Sequence, residues 1–404
     1  MRGNELCLTK TYTCNHLCEL VKTSTAQPLM TYETDFYAGM PALTVNLFGK
    51  GKAYHVCADF EQGFYDEVYR KIAKEAGVSP ATVSRVLTGN AKVSEEKKSK
   101  VEALIRKYDF RPNALARGLS SVETKMIGLM VSDIRNPFYA TMAVECEKAA
   151  NENGYLLLLC NSLGSNEMEV SYLEKFSGQR VDAIIQIGGK VDELVSDTSY
   201  VENINRVANT TPILITGKLD GADCYQVNID EGQSMELLMQ FLIENGHQDI
   251  ALMGGRDNVK STLDKRLRYR QMLRKYGIPV REEYIVDGSS YDIESGSAAM
   301  YRFIREDHPM PSAIIAINDF TAVGIVRALR EQGMRIPEDV SVVSFDNTYI
   351  AETCMPRLTC VGYDYKLFGK LLIETAIKAI HNEEPPRVQM VKSGLVIRDS
   401  CKQL

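Results

Sequence analysis

The chain has 404 residues, 45% hydrophobic and 25% charged, so it is long enough for two or three domains and has the composition of a globular protein with a buried core. A net charge of −6 excludes a protein that binds polyanions over its whole surface, although residues 66–119 are basic, with 12 Lys and Arg against seven Asp and Glu. We find no signal peptide and no run of 18 apolar residues, so we expect a cytoplasmic protein that does not enter a membrane.

The first 65 residues have a character of their own. Residues 41–48 and 53–56 predict two strands joined by the turn at residues 49–52. Because an isolated hairpin is marginal in water, we expect it to be part of a larger α/β domain. Cys14 and Cys18 flank His16, but their spacing matches no common zinc site and no second pair follows. We therefore expect free thiols here, and we expect neither a metal nor a cofactor.

Residues 69–87 predict a helix, a tight turn and a second helix. Ile72 and Ala73 share one face of the first helix, and Gly77 ends it. Ser79 can cap the second helix, and Pro80 suits its first position. Helical spacing places Val83, Val86 and Leu87 on one apolar face, which we expect to pack against the first helix. A short polar face is left outside, as a helix-turn-helix requires.

Two further helices are predicted before residue 125. Ser94 and the acids after it start a third amphipathic helix, which buries Val101, Leu104 and Ile105. Residues 111–121 predict a short helix that is too short to be stable alone. It could fold on DNA, with a second copy of itself as partner.

Beyond residue 125 strands and helices alternate. A first set has strands at residues 127–131, 155–160, 183–187 and 212–216, and a helix at 138–153. A second set begins near Val227, with strands at 250–253, 313–317 and 340–344 and helices at 232–245, 265–276 and 321–332. Such alternation predicts parallel sheets with crossover helices, here two doubly wound lobes with a cleft between them.

Two family resemblances add to this α/β prediction. Residues 68–401 resemble the lactose-repressor family of transcription regulators, through IAKEAGVSPATVSRVL at 72–87, RPNALAR at 111–117, IGL at 127–129, NPFY at 136–139, ND at 318–319 and LVIRDS at 395–400. Residues 35–44 (DFYAGMPALT) and 48–54 (FGKGKAY) resemble the end of the trimerisation domain of family 42 β-galactosidases. In that family the catalytic glutamates lie in a preceding barrel, which is absent here, so we expect no enzyme.

Together the resemblances imply four parts. These are a β-galactosidase-like fragment at 1–66, a small all-α helix-turn-helix domain at 67–111, a hinge helix and linker at 112–124, and a periplasmic-binding-protein-like pair of lobes at 125–404. The fragment joins the DNA module inside its first helix. Val68 stands at the cap position of that helix, so we expect weaker operator binding than in a chain that starts at residue 68 with an added cap.

The repressor resemblance implies a homodimer on double-stranded DNA with a pseudo-palindromic operator. Pro80, Ala81 and Arg85 are expected to read base edges, Arg85 as a bidentate partner of guanine. Leu119 either wedges into the minor groove or packs between two hinge helices. The remaining predicted DNA-binding residues contact phosphate, cap the helix or lie in the hinge: Ser79, Thr82, Ser84, Asn90, Asn113 and Ala116.

The same resemblance implies a small sugar effector in the cleft, with a galactoside among the candidates. A sugar needs amide, carboxylate and guanidinium groups for its hydroxyls and an aromatic face for its ring. The candidates by family position are Asp133, Phe138, Arg266, Asn318, Asp346 and Tyr363. Tyr139 either contacts the sugar or packs in the lobe. Residues 216–218 and 266–270 depart from the family pattern, which leaves the identity of the effector open.

The expected function is repression of carbohydrate-utilisation genes from the nucleoid. Effector binding is expected to close the cleft, separate the hinge helices and release the operator. Because some members of the family need a corepressor, whether the effector weakens or strengthens operator binding is left open. The alternatives are a sugar-binding protein with impaired DNA binding, a non-functional chimera and a periplasmic sugar-binding protein.

Overall fold

The computed structural model describes residues 14–18, 27–31, 41–48, 51–56, 58–60, 70–88, 93–108 and 123–404. The chain divides into two compact units, Met1–Val122 and Glu123–Leu404. Among the described residues, no helix combines the length and the apolarity that crossing a membrane requires.

The N-terminal strands are antiparallel. Strand β3 (Pro41–Phe48) pairs with β4 (Gly51–Val56) so that Phe48 lies opposite Gly51, which confirms the predicted hairpin. Strand β2 (Gln27–Thr31) pairs with the other edge of β3, and β1 (Cys14–Cys18) pairs with β5 (Ala58–Phe60). The hairpin therefore belongs to a three-stranded antiparallel sheet. That it is part of a larger α/β domain stays a prediction.

Three helices follow the strands, at residues 70–76, Pro80–Thr88 and Glu95–Tyr108. Gly77 ends the first with a φ of 67°, and the N–H of Val78 donates to the carbonyl of Ala73 at 2.9 Å, which satisfies a carbonyl at the helix end. Ile72 and Ala73 are buried, as are Val83 on the second helix and Val101 on the third. Val86, Leu104 and Ile105, also predicted for these apolar faces, are half-buried, and the side chain of Leu87 is not described.

The second unit has two six-stranded sheets. In the first, all strands are parallel, in the order β16 (Val388–Val391), β10 (Tyr225–Ile229), β9 (Ile213–Thr216), β8 (Ala183–Ile187), β6 (Met126–Val131) and β7 (Leu156–Asn161). In the second the order is β12 (Ile285–Val286), β11 (Ile250–Met253), β13 (Ala313–Ala316), β14 (Ser341–Asp346), β15 (Thr359–Tyr363) and β17 (Ser393–Val396), where only β17 is antiparallel to its neighbour.

Helices cover both faces of these sheets, as the doubly wound prediction requires. They span Pro137–Glu152, Asn166–Gly178, Thr198–Ala208, Glu231–Glu244, Lys260–Lys275, Ile293–Arg305, Asp319–Glu331, Tyr349–Thr353 and Tyr365–Ile380, with single 3-10 turns at Gly189–Asp192 and Glu282–Tyr284.

The boundary between the lobes differs from the prediction. Val227, where we expected the second set to begin, lies in β10 and is buried in the core of the first lobe. The chain crosses to the second lobe only after β10, returns after β15 to add the helix Tyr365–Ile380 and β16, and crosses again to β17. The first sheet thus takes strands from two distant parts of the chain, which an alternation pattern cannot reveal.

Candidate effector cleft and nucleic-acid interface

The two lobes of the second unit enclose a cleft of about 620 Å³ at the carboxyl ends of their strands. Asp133 follows β6 and Gly188 follows β8 in the first lobe, whereas Asn318 follows β13 and Asp346 ends β14 in the second. Open α/β sheets bind ligands at this edge. Five of the six predicted effector residues line the cleft, namely Asp133, Phe138, Asn318, Asp346 and Tyr363.

Aromatic rings form one wall. The ring of Phe138 lies 6.4 Å from that of Tyr363 and 5.3 Å from that of Tyr139, in both cases edge to face. Phe138 takes its position from Asn136, which caps the helix Pro137–Glu152 and accepts the N–H of Phe138 at 3.1 Å. Tyr139 lines the cleft and also packs on Gly188, where a Cβ would collide with its hydroxyl. The wall therefore offers apolar ring faces of the kind that a sugar ring can stack on.

Asp346 is held in an uncommon backbone conformation. Its φ is 98°, a value that costs a non-glycine residue about 1–3 kcal/mol and that recurs at binding and catalytic sites. Burial, together with the charge of Asp319, holds the pKa of its carboxyl well above the ordinary range. The hydroxyl of Tyr363 lies 3.4 Å from Oδ1, while that of Tyr365 donates to the main-chain carbonyl of Asp346 at 2.8 Å. The side chain is thereby directed into the cleft with much of its hydrogen-bonding capacity unused.

Two other predicted residues already make structural hydrogen bonds. Asn318 caps the helix Asp319–Glu331: its Oδ1 accepts the N–H of Thr321 at 2.7 Å, and its Nδ2 donates to the carbonyl of Tyr291 at 3.2 Å. Asp133 accepts two hydrogen bonds from the guanidinium of Arg135, which lowers the pKa of its carboxyl. Both therefore have only part of their polar surface available to a molecule in the cleft.

Arg266 is placed elsewhere than predicted. It is not among the residues that line the cleft, and it is 7% exposed. Its Nη2 lies 2.6 Å from Oδ1 of Asp287 and donates to the carbonyls of Gly254 and Gly255. Arg266 thus braces the loop after β11, and contact with an effector stays a prediction without support from this geometry.

The preceding residue, Lys265, lines the cleft where Arg266 does not. Its Nζ lies 2.5 Å from Oε2 of Glu231, and both side chains are largely buried. Burial lowers the pKa of Lys265, but the charges of Glu231, Asp346 and Asp192 outweigh burial, so the pKa is raised above its ordinary value. The ammonium therefore keeps its proton and sits among carboxyl groups.

A direct hydrogen-bonded contact joins the lobes beside this pair. The carboxyl of Asp192, from the first lobe, accepts the N–H of Ser261 at 3.1 Å and its hydroxyl at 2.6 Å. Next to it, the N–H of Leu194 donates to the carbonyl of Asn258 at 2.9 Å, and Glu193 forms an antiparallel bridge with Val259. Burial raises the pKa of Asp192 to about 6. These contacts hold the two lobes together at this side of the cleft.

Sequence reasoning missed Asp192, Glu231, Ser261 and Lys265, although two of them carried a usable signal. Asp192 lies in the loop after the buried strand β8, where cleft residues of α/β sheets are expected. Glu231 follows β10 in the same way, but it was hidden because β10 was assigned to the second set.

The candidate DNA surface lies on the helix Pro80–Thr88 in the first unit. Pro80, Ala81 and Arg85 are exposed, as the prediction requires. Ser79 caps the helix, since its Oγ accepts the N–H of Thr82 at 3.2 Å and lies 2.9 Å from the hydroxyl of Thr82. Ser84 is helical, but its side chain is not described; Asn90, the hinge helix, the cap position at Val68 and the hinge residues Asn113, Ala116 and Leu119 lie outside the described residues.

Comparisons with known proteins agree with both resemblances. Residues 70–113 match the family described as bacterial regulatory proteins, lacI family, and residues 239–401 match the periplasmic binding protein-like domain. Residues 3–79 match the β-galactosidase trimerisation domain, which overlaps the first match at residues 70–79, inside the first helix and its turn. The two matches thus meet within the first helix, whereas the predicted boundary lies just before it, between residues 66 and 67.

Individual relatives cover most of the chain. Catabolite control protein A of Priestia megaterium is 33% identical over 314 residues, which are 77% of this chain and 92% of that protein. The lac repressor dimer bound to operator and the anti-inducer ONPF has the same fold, with a TM-score of 0.71 and 23% identity over 82% of this chain and 98% of that one. The complex of the transcriptional regulator CelR with cellobiose gives a TM-score of 0.61 and 26% identity over 82% of this chain and 99% of that one.

Proposed function

Because this chain belongs to the lacI family of bacterial transcription regulators, we propose that it is a sequence-specific repressor whose affinity for operator DNA is set by a small sugar in the cleft. The observation that carries the proposal is the cleft itself, where an aromatic wall stands opposite carboxyl and amide groups at the carboxyl ends of two parallel sheets. This combination suits a ring with hydroxyl groups on its edge and apolar faces.

Each lobe contributes a defined part to the binding of the sugar. Phe138 and Tyr363 cover a ring face, and Asp346 accepts or donates hydrogen bonds to hydroxyl groups on its edge. The CelR complex supports a sugar ligand by analogy, since that related regulator binds cellobiose. Closing the cleft on the sugar brings Asp192 and Ser261 together, so the sugar stabilises the closed arrangement.

The exposed face of the helix Pro80–Thr88 is the proposed reading surface for DNA. Arg85 pairs with guanine in the major groove, Pro80 and Ala81 contact base edges, and Ser79, Thr82 and Ser84 contact phosphate or cap the helix. A homodimer places two such helices on the half-sites of a pseudo-palindromic operator. Such a regulator acts on the nucleoid, in the cytoplasm, and needs neither a metal nor a cofactor.

Two steps test the proposal. A thermal-shift screen of mono- and disaccharides, galactosides included, identifies the sugar, because a ligand that binds only the folded state raises the melting temperature. The operator is selected from random duplexes, and fluorescence anisotropy then measures its affinity with and without that sugar. A protein that binds no sugar, or that binds all duplexes alike, contradicts the proposal.

A further inference from the structure

The charged groups of the cleft are predominantly acidic. Of the residues that line it, seven are Asp or Glu and five are Lys or Arg. A phosphorylated sugar would add two negative charges to this lining at neutral pH. Whether the cleft accepts such a ligand depends on how many of the five cations are available to it.

Four of these cations already have a carboxylate within 4 Å. Three of them pair near the surface: Arg135 with Asp133 at 2.7 Å, Lys218 with Asp220 at 2.7 Å and Lys260 with Asp264 at 2.9 Å. The fourth is Lys265, paired with Glu231. The fifth, Arg256, is exposed at the mouth, where its guanidinium lies 5.9 Å from the ring centroid of Tyr291 and water screens its charge.

Lys265 is therefore the cation that matters inside the cleft. Its side chain is 7% exposed and that of Glu231 is 15% exposed, so their interaction is poorly screened. Asp346 and Asp192 line the same cleft, and their charges also help to raise the pKa of Lys265. Behind Asp346 lies Asp319, a further buried carboxyl that accepts hydrogen bonds from Ser344 and Thr348. Asp319 itself does not line the cleft, but around Lys265 the lining still includes three carboxyl groups, those of Asp192, Glu231 and Asp346.

We propose that the cleft selects a sugar without a phosphate or carboxylate group, and that Glu231 determines this selection by neutralising Lys265. The inference rests on the proposed function and deepens it by naming the class of effector. An anionic group beside Lys265 would have to displace Glu231 or remain next to Asp346 and Asp192, and either arrangement leaves a buried charge unpaired. The hydroxyls of an uncharged sugar meet no such penalty, because carboxylates accept hydrogen bonds from them.

The substitution Glu231→Gln tests the role of the pair. It keeps the shape of the side chain and removes the charge that neutralises Lys265, so the ammonium becomes available to an anion. The matched control is Glu244→Gln, at the other end of the same helix and outside the cleft, where the side chain accepts a hydrogen bond from Gln240. Both variants change the net charge by the same amount.

Calorimetric titration compares D-glucose, D-galactose and cellobiose with glucose 6-phosphate, galactose 6-phosphate and glucuronate on the full chain. We expect any sugar that binds to do so at least about tenfold more tightly than its anionic derivative. Glu231→Gln should narrow or reverse that ratio, and Glu244→Gln should leave it unchanged.

The outcomes separate the two claims. An anionic sugar that binds the unchanged protein as tightly as its parent overturns the selection while the proposed function stands. Selection that persists in folded Glu231→Gln overturns the role of Glu231. Should that variant not fold, the ranking of parent and derivative in the unchanged protein decides the selection by itself. If no sugar of either kind binds, in this panel or in the thermal-shift screen, the proposed function fails, and this inference with it.

Discussion

Ser261 and Asp192 belong to different lobes and are joined by two hydrogen bonds, one from the main-chain N–H at 3.1 Å and one from the hydroxyl at 2.6 Å. Ser261 lies in the first turn of the helix Lys260–Lys275, and Asp192 ends the 3-10 turn after β8. The contact spans the two lobes, so any opening movement that separates these two residues must break both hydrogen bonds. It therefore gives a single carboxyl group a direct effect on how strongly the lobes hold together.

Removing the hydroxyl of Ser261 should weaken effector binding. A hydrogen bond to a charged group contributes about 1.5–3 kcal/mol, so Ser261→Ala should raise the Kd of the identified sugar by roughly tenfold to a hundredfold. Ser199→Ala is the matched control, since the hydroxyl of Ser199 donates to Asp197 at 2.7 Å on the exposed surface of one lobe. Calorimetry on both variants measures the effect, and equal Kd values for the two variants would show that this contact does not contribute to closure.

The buried carboxyl of Asp192 should also give stability a distinctive pH dependence. Burial raises its pKa from 3.8 to about 6, so between these values the folded state binds a proton that the unfolded state lacks. The cost of the buried charge is therefore fully present only well above pH 6, and the folded state gains stability from this group as the pH falls through 6 towards 5. Asp192→Asn removes the ionisable group and with it this contribution to the pH dependence of stability.

Melting temperatures at several pH values test that sign. We expect the melting temperature of the unchanged protein, minus that of Asp192→Asn, to increase as the pH falls from 7.5 to 5.5. The same difference is measured with Asp220→Asn as a comparison at the surface, where Asp220 pairs with Lys218. A difference in melting temperature between the unchanged protein and Asp192→Asn that does not vary with pH would contradict a raised pKa for Asp192.

Close helix packing in the second lobe yields a prediction on stability. The helices Ile293–Arg305 and Asp319–Glu331 meet at Gly324, where an added Cβ would overlap the carbonyl oxygen of Ile293. Because backbone cannot move aside cheaply, Gly324→Ala should lower the free energy of unfolding by about 1–3 kcal/mol. Gly178→Ala, at the end of the helix Asn166–Gly178 with no atom within 4 Å, should be nearly neutral. Chemical denaturation measures the free energy of unfolding of both variants. Equal values for Gly324→Ala and Gly178→Ala would contradict this prediction.

Much of the fold could be predicted from the sequence because its signals are local. The burial of Ile72, Ala73 and Val83 follows from helical spacing, and the predicted hairpin at residues 41–56 follows from alternation around a turn. The assignment of β10 failed for a different reason. Which sheet a strand joins depends on where the chain crosses between the lobes. The residues before and after Val227 have similar compositions, so the sequence does not mark that crossing.

The candidate site was predictable to the same extent. Asn318 and Asp346, predicted by family position and by their place after a strand, do line the cleft, since the edge of a parallel sheet is a general ligand position. The helix Lys260–Lys275 has no such marker: neighbouring residues point about 100° apart, so a shift of one residue exchanges Lys265 for Arg266. Sequence spacing could not distinguish the cation facing the cleft from the one inside the lobe.

The exposed guanidinium of Arg85 should give sequence preference as well as affinity. Arg85→Ala should weaken binding to the selected operator by about 1–3 kcal/mol and leave binding to a scrambled duplex much less affected. Lys100→Ala, on the helix Glu95–Tyr108, is the control for loss of one surface charge; Lys100 pairs with Glu96 at 2.8 Å. Anisotropy titrations measure the affinity for both duplexes. An equal loss of affinity for the two would show that Arg85 contacts phosphate and does not read bases.

The central claim is that the cleft and the DNA surface are coupled, and coupling between two binding sites must be reciprocal. The most direct measurement is calorimetric titration of the identified sugar into the full-length protein, once alone and once saturated with operator duplex. The account predicts that operator changes the Kd of the sugar by about 5- to 150-fold, and by the same factor by which the sugar changes the Kd of the operator. A sugar Kd that is the same with and without operator would contradict it.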